Sequence, residues 1–429
     1  MSRVALRPGL RLPALGLAAV VLGSALSSCS AVQSEEAQGT PAKPSPVALD
    51  AAEAPDDLAI GVVVSLTGEG SDWSEPAEGA QVATYRYGLG ERAVVLRPVD
   101  DKGTTKGATA AVGKLLDQGV SGIVMATEGD HVRAAVTRAA TAGVPVLLPY
   151  ETDAVGLPDG AWLTGPDRGQ VVSALAKALA ASGLGRPVVV DAGGGEPKGI
   201  DALTTYRFRG GSDALRTAAR IAKSTRSSAR VDSVVVTGPA AQQAIVVQAL
   251  QGENVQVPVL LTPAALSPVF ATTLVERDGT LAGSLTTVGP DAADVAAMAP
   301  GAEGQALSAY FAALRATAGD DGVEDFFDAQ PFSTVSDTAD TRSHDAVIAL
   351  VTAAARAQSA APEDVAQALD GLTVTRADGL AGPELDFSTP SALADKAVIA
   401  LQSSTQSPGL RPVTTAPQPQ LFWFTAPTD

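Results

Sequence analysis

Four acids fall in two short clusters, Glu128 with Asp130 and Glu151 with Asp153, each directly after an apolar run, Ser121 to Ala126 and Val144 to Leu148. Carboxylates so placed could hold a cation, a polyamine or an amine-bearing ligand through charge-assisted hydrogen bonds. They could equally be solvated or cap helices, Asp130 being well placed as an N-cap for the apolar-periodic stretch that follows it. Neither His131 nor His344 has a catalytic partner nearby in sequence, and a single cysteine excludes a multi-cysteine metal or iron–sulfur centre. No G-x-S-x-G nucleophile elbow occurs, and Gly193-Gly194-Gly195 lacks the G-x-x-x-x-G-K-S/T spacing of a phosphate loop. These residues point to binding rather than catalysis, with no metal and no cofactor.

The chain of 429 residues carries 47 acids against 30 bases, a net charge of −17, with no block of basic residues. That balance excludes nucleic acid and an anionic membrane surface as partners. Arg3, Arg7 and Arg11 precede the apolar run from Ala14 to Leu26, which suits the core of an export signal and is too short to span a bilayer. Leu26-Ser27-Ser28-Cys29 follows at once and resembles a bacterial lipobox, whose cysteine becomes the lipidated N-terminus after cleavage. Residues 1–28 are therefore read as a lipoprotein signal peptide and Cys29 as the lipidation site. The protein is then anchored by lipid to the extracytoplasmic face of the cell membrane; an ordinary secretory signal is the alternative. Residues 29–57, rich in Pro, Ala, Ser and acids, read as a flexible tether.

Behind the tether the pattern alternates. Leu58 to Leu66, Val94 to Val99, Ser121 to Ala126 and Val144 to Leu148 read as buried strands, separated by helical stripes such as Ala108, Ala111, Val112, Leu115 and Leu116. The alternation repeats with strands at Pro187 to Asp191, Val231 to Thr237 and Val257 to Thr262, between helices near Val171 to Ser182, Asp213 to Ser224 and Ala241 to Gln251. Helices near Gly304 to Ala318 and Ser343 to Gln358 follow, and Pro362 opens a short one. A chain of this length exceeds one core, and strands separated by helices imply parallel sheets, so the fold class is α/β with two doubly wound, Rossmann-like lobes. Ligands of such sheets bind at the carboxyl ends of the strands, which selects the loops Ser65 to Trp73, Thr127 to His131 and Tyr150 to Asp153 in the first lobe. In the second lobe the same rule selects Asp191 to Glu196, Thr237 to Ala240 and Thr262 to Ala265.

Several segments, in order, resemble the type I periplasmic solute-binding proteins of the branched-chain amino acid kind. They are IGVVVSLTGEGSDW with Glu78-Gly79-Ala80, RPVDDKGTTKGATAAVGKLLDQGVSGIVMA, AGVPVLLPYETDA, WLTGPDRGQ, and HDAVIAL followed by DGLAGPELDF. The resemblance implies two lobes joined by a three-crossover hinge near Gly165 to Gly169, Leu285 to Gly289 and Leu372 to Thr375. Residues 58–168 and 289–372 would form lobe 1, and residues 169–288 and 373–429 lobe 2. It also implies that Trp73 walls a side-chain pocket, that Thr152 holds a ligand backbone, and that Tyr150 contributes a carbonyl. Gly129 falls where a serine usually receives a carboxylate. The ligand-binding set expected on both grounds is Trp73, Thr127, Glu128, Gly129, Asp130, Tyr150 and Thr152. The acid that commonly holds a ligand ammonium falls at Ala264, and an expected aromatic near Pro239 or Ala240; both groups are missing. The family's function implies a monomeric receptor that captures a small polar ligand, amino-acid-like or amine-bearing, between the lobes and delivers this small-molecule ligand to an ABC permease. The alternative is an envelope scaffold or regulator of the same fold.

Overall fold

The computed structural model describes residues 45–50, 53–210, 212–226, 230–290, 294–414 and 418–426; the expected signal peptide, Cys29 and the first part of the tether lie outside the described residues. The first lobe starts β1 (Ala59–Val64), α1 (Gly79–Leu89), β2 (Val95–Asp100), α2 (Thr105–Asp117), β3 (Gly122–Met125), α3 (Arg133–Thr141), β4 (Val146–Leu148) and β5 (Ala161–Leu163). These strands form a wholly parallel sheet of order β2-β1-β3-β4-β5. Five of the six β1 residues are buried, as a strand covered by helices on both faces requires. α2 buries Ala108, Ala111, Val112 and Leu115, the stripe expected from its period, and Thr104 caps it by accepting from the Gly107 N–H.

The chain then crosses into the second lobe through α4 (Arg168–Ala181), β6 (Pro187–Asp191), β7 (Thr205–Arg207), α5 (Ser212–Thr225) and β8 (Ser233–Thr237). The lobe continues with α6 (Ala240–Gly252), β9 (Val259–Leu261), α7 (Pro268–Glu276) and β10 (Leu285–Pro290). A capping box between Asp167 and Gln170 opens α4 just where the first crossing is expected. After β10 the chain returns to the first lobe as α8 (Ala302–Ala318), α9 (Thr341–Ala357) and α10 (Pro362–Leu369). Of these α9 is the central piece, packed against α1, α10 and β3 and buried along nearly its whole length.

The third crossing lies later than expected. β11 (Thr373–Val374) and β12 (Leu385–Asp386) pair with each other, and the segment after them stays on the first lobe. Leu163 of β5 donates to the Pro390 carbonyl at 2.8 Å and accepts from Ala392 N at 2.8 Å, while Phe387 meets Trp162 edge-on at 5.9 Å. The chain leaves the first lobe only after Leu393, not at Leu372 to Thr375, because backbone pairing along the β5 edge holds it there. β13 (Val398–Ser404) and β14 (Phe422–Thr425) then complete a second sheet of order β14-β13-β10-β9-β8-β6-β7, these two strands running antiparallel.

The end of the expected tether is also folded onto the first lobe. Arg86, 2 % exposed, donates from Nη2 to the Pro46 carbonyl and from Nε to the Val47 carbonyl, and Leu49 N donates to the Arg86 carbonyl. Leu49 and Ala54 are themselves buried. A buried guanidinium needs acceptors, and carbonyls of this segment supply them, so composition alone misjudged residues 46–49.

Candidate functional site

Between the lobes, at the carboxyl ends of the parallel strands of both sheets, lies a cleft of about 430 Å³. The loops after β1, β3 and β4 wall it on one side, and those after β6, β8 and β9 on the other. Its lining contains seven carboxylic acids, Glu69, Asp72, Glu128, Asp130, Glu151, Asp153 and Glu196, against Arg133 and Arg168. Both arginines are turned to acids already present: Arg133 lies 3.0 Å from Asp153 and 3.3 Å from Asp130, and Arg168 lies 3.8 Å from Asp153. Asp130 thus pairs with Arg133 and does not cap α3, whose N-cap is Val132 without a side-chain bond.

Four backbone donors in this wall are already engaged. Glu151, 8 % exposed, accepts from Gly129 N at 3.2 Å through one carboxylate oxygen, and from Thr152 N and Asp153 N at 2.8 Å each through the other. Asp130 N donates to Glu69 Oε1 at 3.2 Å. Gly129 has φ +120°, and a Cβ built there would come within 2.4 Å of the same Glu69 oxygen, so the glycine makes room for that acid. Across the cleft, Asp72 Oδ2 accepts from Ala240 N at the start of α6, at 3.1 Å, and Ser267 donates to the Asp72 carbonyl at 2.6 Å. One first-lobe loop therefore touches the second lobe directly. Burial raises the Asp72 carboxyl above its ordinary value, against the lowering effect of the Ala240 bond.

Glu128 is half-buried in the cleft wall. Burial pushes its carboxyl up to about 7; the Trp73 indole beside it and Arg342 lower it, whereas Glu151 and Asp72 raise it further. A carboxyl with that pKa switches between neutral donor and charged acceptor near neutrality.

Of the residues expected at the site, Glu128, Gly129, Asp130 and Thr152 line the cleft, while Trp73, Thr127 and Tyr150 do not. Trp73 and Tyr150, 1 % and 2 % exposed, stack on each other with centroids 4.6 Å apart and planes 6° apart. The Arg342 guanidinium lies 4.4 Å from one ring centroid and 4.5 Å from the other, held by Asp340, which also accepts from the Tyr150 hydroxyl at 3.0 Å. This cation–π cluster draws both rings under the wall. Trp73 instead borders a separate cavity of about 150 Å³ with Arg342, Arg411 and Trp423.

Thr127 is spent in a buried network. Its hydroxyl meets Ser65 Oγ at 2.7 Å, Ser65 donates to Asp101 at 2.7 Å, and Asp101 holds His131 Nε2 at 2.8 Å. On the other ring nitrogen Glu69 lies at 3.3 Å. Burial alone would lower the His131 pKa, but Asp101 and Glu69 outweigh it and raise it, which favours the imidazolium. Asp101 occupies the nitrogen that faces Ser65, so His131 is not disposed to take a proton from that hydroxyl. The sequence reading missed the placement of Ser65, Glu69, Asp72 and Asp101; the first three sit in the loop after β1 already singled out, and Asp101 follows β2.

Two doubly wound lobes enclosing a ligand-sized cleft at their strand ends define a binding protein of the type I periplasmic class. A family model described as Periplasmic binding protein matches residues 57–404, and the chain belongs to that family. The leucine-binding protein LivK from Thermotoga maritima is similar in structure, with a TM-score of 0.60 at 18 % identity over 86 % of this chain and 98 % of that one. LivJ from Streptococcus pneumoniae in complex with isoleucine scores 0.59 at 16 % identity over 86 % and 99 %. A type 1 periplasmic binding protein from Bordetella pertussis scores 0.62 at 17 % identity over 86 % and 100 %. At these identities the likeness is one of fold. No curated protein matches the chain in sequence.

Proposed function

We propose that this protein is a lipid-anchored, extracytoplasmic receptor that closes on a small amine-bearing solute and presents it to an ABC importer. The observation that carries the reading is the interlobe cleft of about 430 Å³, within the size range of small-molecule sites, whose lining has seven acids and two arginines already paired to acids. An amine entering it meets charge-assisted acceptors on the first-lobe wall. Family membership supports solute binding over catalysis. The arginine-led apolar segment ending in Leu26-Ser27-Ser28-Cys29 supports anchoring through Cys29.

Thermal-shift titration of the purified protein with amino acids, diamines, polyamines and inorganic cations tests the ligand. A compound at a hundredfold excess over Kd stabilises the folded state by about 2.7 kcal/mol, so one saturable class is expected to shift the midpoint. Anchoring is tested by membrane fractionation, with Cys29→Ala expected to release the protein. The second reading, an envelope scaffold without transport, is favoured by one feature: Pro239 and Ala264 stand on the second-lobe wall without an aromatic or acidic group. A flat response to the whole panel selects that reading.

A further inference from the structure

Five backbone donors at the cleft differ from those of an open anion site in that acids of the same chain already occupy them. Gly129 N, Thr152 N and Asp153 N converge on Glu151, Asp130 N is covered by Glu69, and Ala240 N at the start of α6 is covered by Asp72. Donors at strand ends and helix starts ordinarily attract anions. A ligand carboxylate arriving here would have to displace a covalently attached one and would meet its charge at close range. Glu151 is the most committed occupant, since it is buried and satisfies donors from two different loops.

We infer that Glu151 is a specificity-determining residue: an internal carboxylate that fills the first-lobe anion position, excludes ligands bearing a carboxylate and leaves amines without one as the favoured class. The inference rests on the solute-binding reading above and deepens it. A purely local structural role for Glu151 would stabilise the Gly129 and Thr152 loops without setting any preference between ligands that differ only by a carboxylate.

The experiment uses matched pairs, lysine with cadaverine and arginine with agmatine, with glutarate as a carboxylate-only probe. Each is titrated calorimetrically into the purified wild-type protein and a Glu151→Ala variant. Wild type is expected to bind a decarboxylated amine at least about tenfold more tightly than its parent amino acid, and not to take up glutarate. In Glu151→Ala three donors are freed, so the preference is expected to shrink or reverse and glutarate binding to appear. Equal wild-type affinities for both members of a pair, unchanged in the variant, would overturn the inference. So would a folded Glu151→Ala protein that gains no carboxylate binding. If that variant does not fold, Glu151→Gln keeps the acceptor and removes the charge: a narrowed ratio supports the assignment and an unchanged one refutes it. A wild type that binds neither amine refutes the amine-receptor reading, whereas glutarate uptake by the variant still decides the role of Glu151.

Discussion

Glu128 offers the sharpest test of the cleft's electrostatics. Its carboxyl is pushed from the ordinary 4.5 up to about 7, chiefly by burial, with Glu151 and Asp72 adding to the effect. For an acid whose folded pKa is raised, both states are protonated well below 4.5 and nothing is lost. Between 4.5 and about 7 the unfolded chain has released a proton that the folded chain still holds, so stability falls as pH rises, and above about 7 the full cost remains. The gap corresponds to about 3 kcal/mol, which solvent screening of a half-buried residue reduces to about 2 kcal/mol. Glu128→Gln removes the ionisation. Urea denaturation of both proteins between pH 4.5 and 8.5 should show near-equal stability at the acid end and a variant more stable by about 2 kcal/mol at the alkaline end. A bound cation reverses the sense, because it pairs with the ionised carboxylate: amine affinity should strengthen from pH 6 to 8 in wild type and much less in Glu128→Gln. A stability difference independent of pH, or amine binding that weakens as pH rises, would refute the reasoning.

Three other substitutions probe the frame around the cleft. Asp72→Ala removes the carboxylate on Ala240 N, so solution scattering should report a larger radius of gyration and hydrogen exchange at Ala240 should quicken. Arg86→Ala leaves the Pro46, Val47 and Gly379 carbonyls without their buried partner, costing about 3–5 kcal/mol and exposing the segment before β1 to protease in a timed digest. Trp73→Ala empties a fully buried site beneath Arg342, with an expected loss of about 3–5 kcal/mol in denaturant titration.

How far the structure was legible in the sequence depended on the range of the forces involved. Strands such as β1, β3 and β8 are short apolar runs buried on both faces, and helices such as α2 keep one apolar stripe, so local period marks them. β5 and β7, three residues each, carry too little pattern, and the long stay of residues 373–393 on the first lobe depends on pairing with Leu163, more than two hundred residues earlier. In the site, the acids after β3 and β4 were legible because strand ends face the cleft in this fold. The direction of Trp73 and Tyr150 was not: Arg342, far along the chain, supplies the cation under which both rings stack. Thr127 likewise turns inward because Ser65 offers a buried hydroxyl partner.

On the reading proposed above, the engagement of Glu151 with three N–H groups accounts for how this fold would take an amine that lacks a carboxylate. A carboxylate has about four lone-pair positions, and three are used by Gly129, Thr152 and Asp153, which leaves acceptor capacity on a residue that lines the cleft. The donors neutralise part of the acid's charge and fix its orientation, so the wall at this point becomes an acceptor instead of a donor surface. Moving a carboxylate from the ligand to the protein would thus change the favoured ligand from a zwitterion to a cation while leaving strands, loops and crossings in place. The second lobe contributes less, since Asp72 covers Ala240 N, position 264 carries no acid, and Glu196 is the carboxylate it adds to the cleft lining. On the same reading, most of a ligand's positive charge would be met by the first-lobe acids, Glu128 among them.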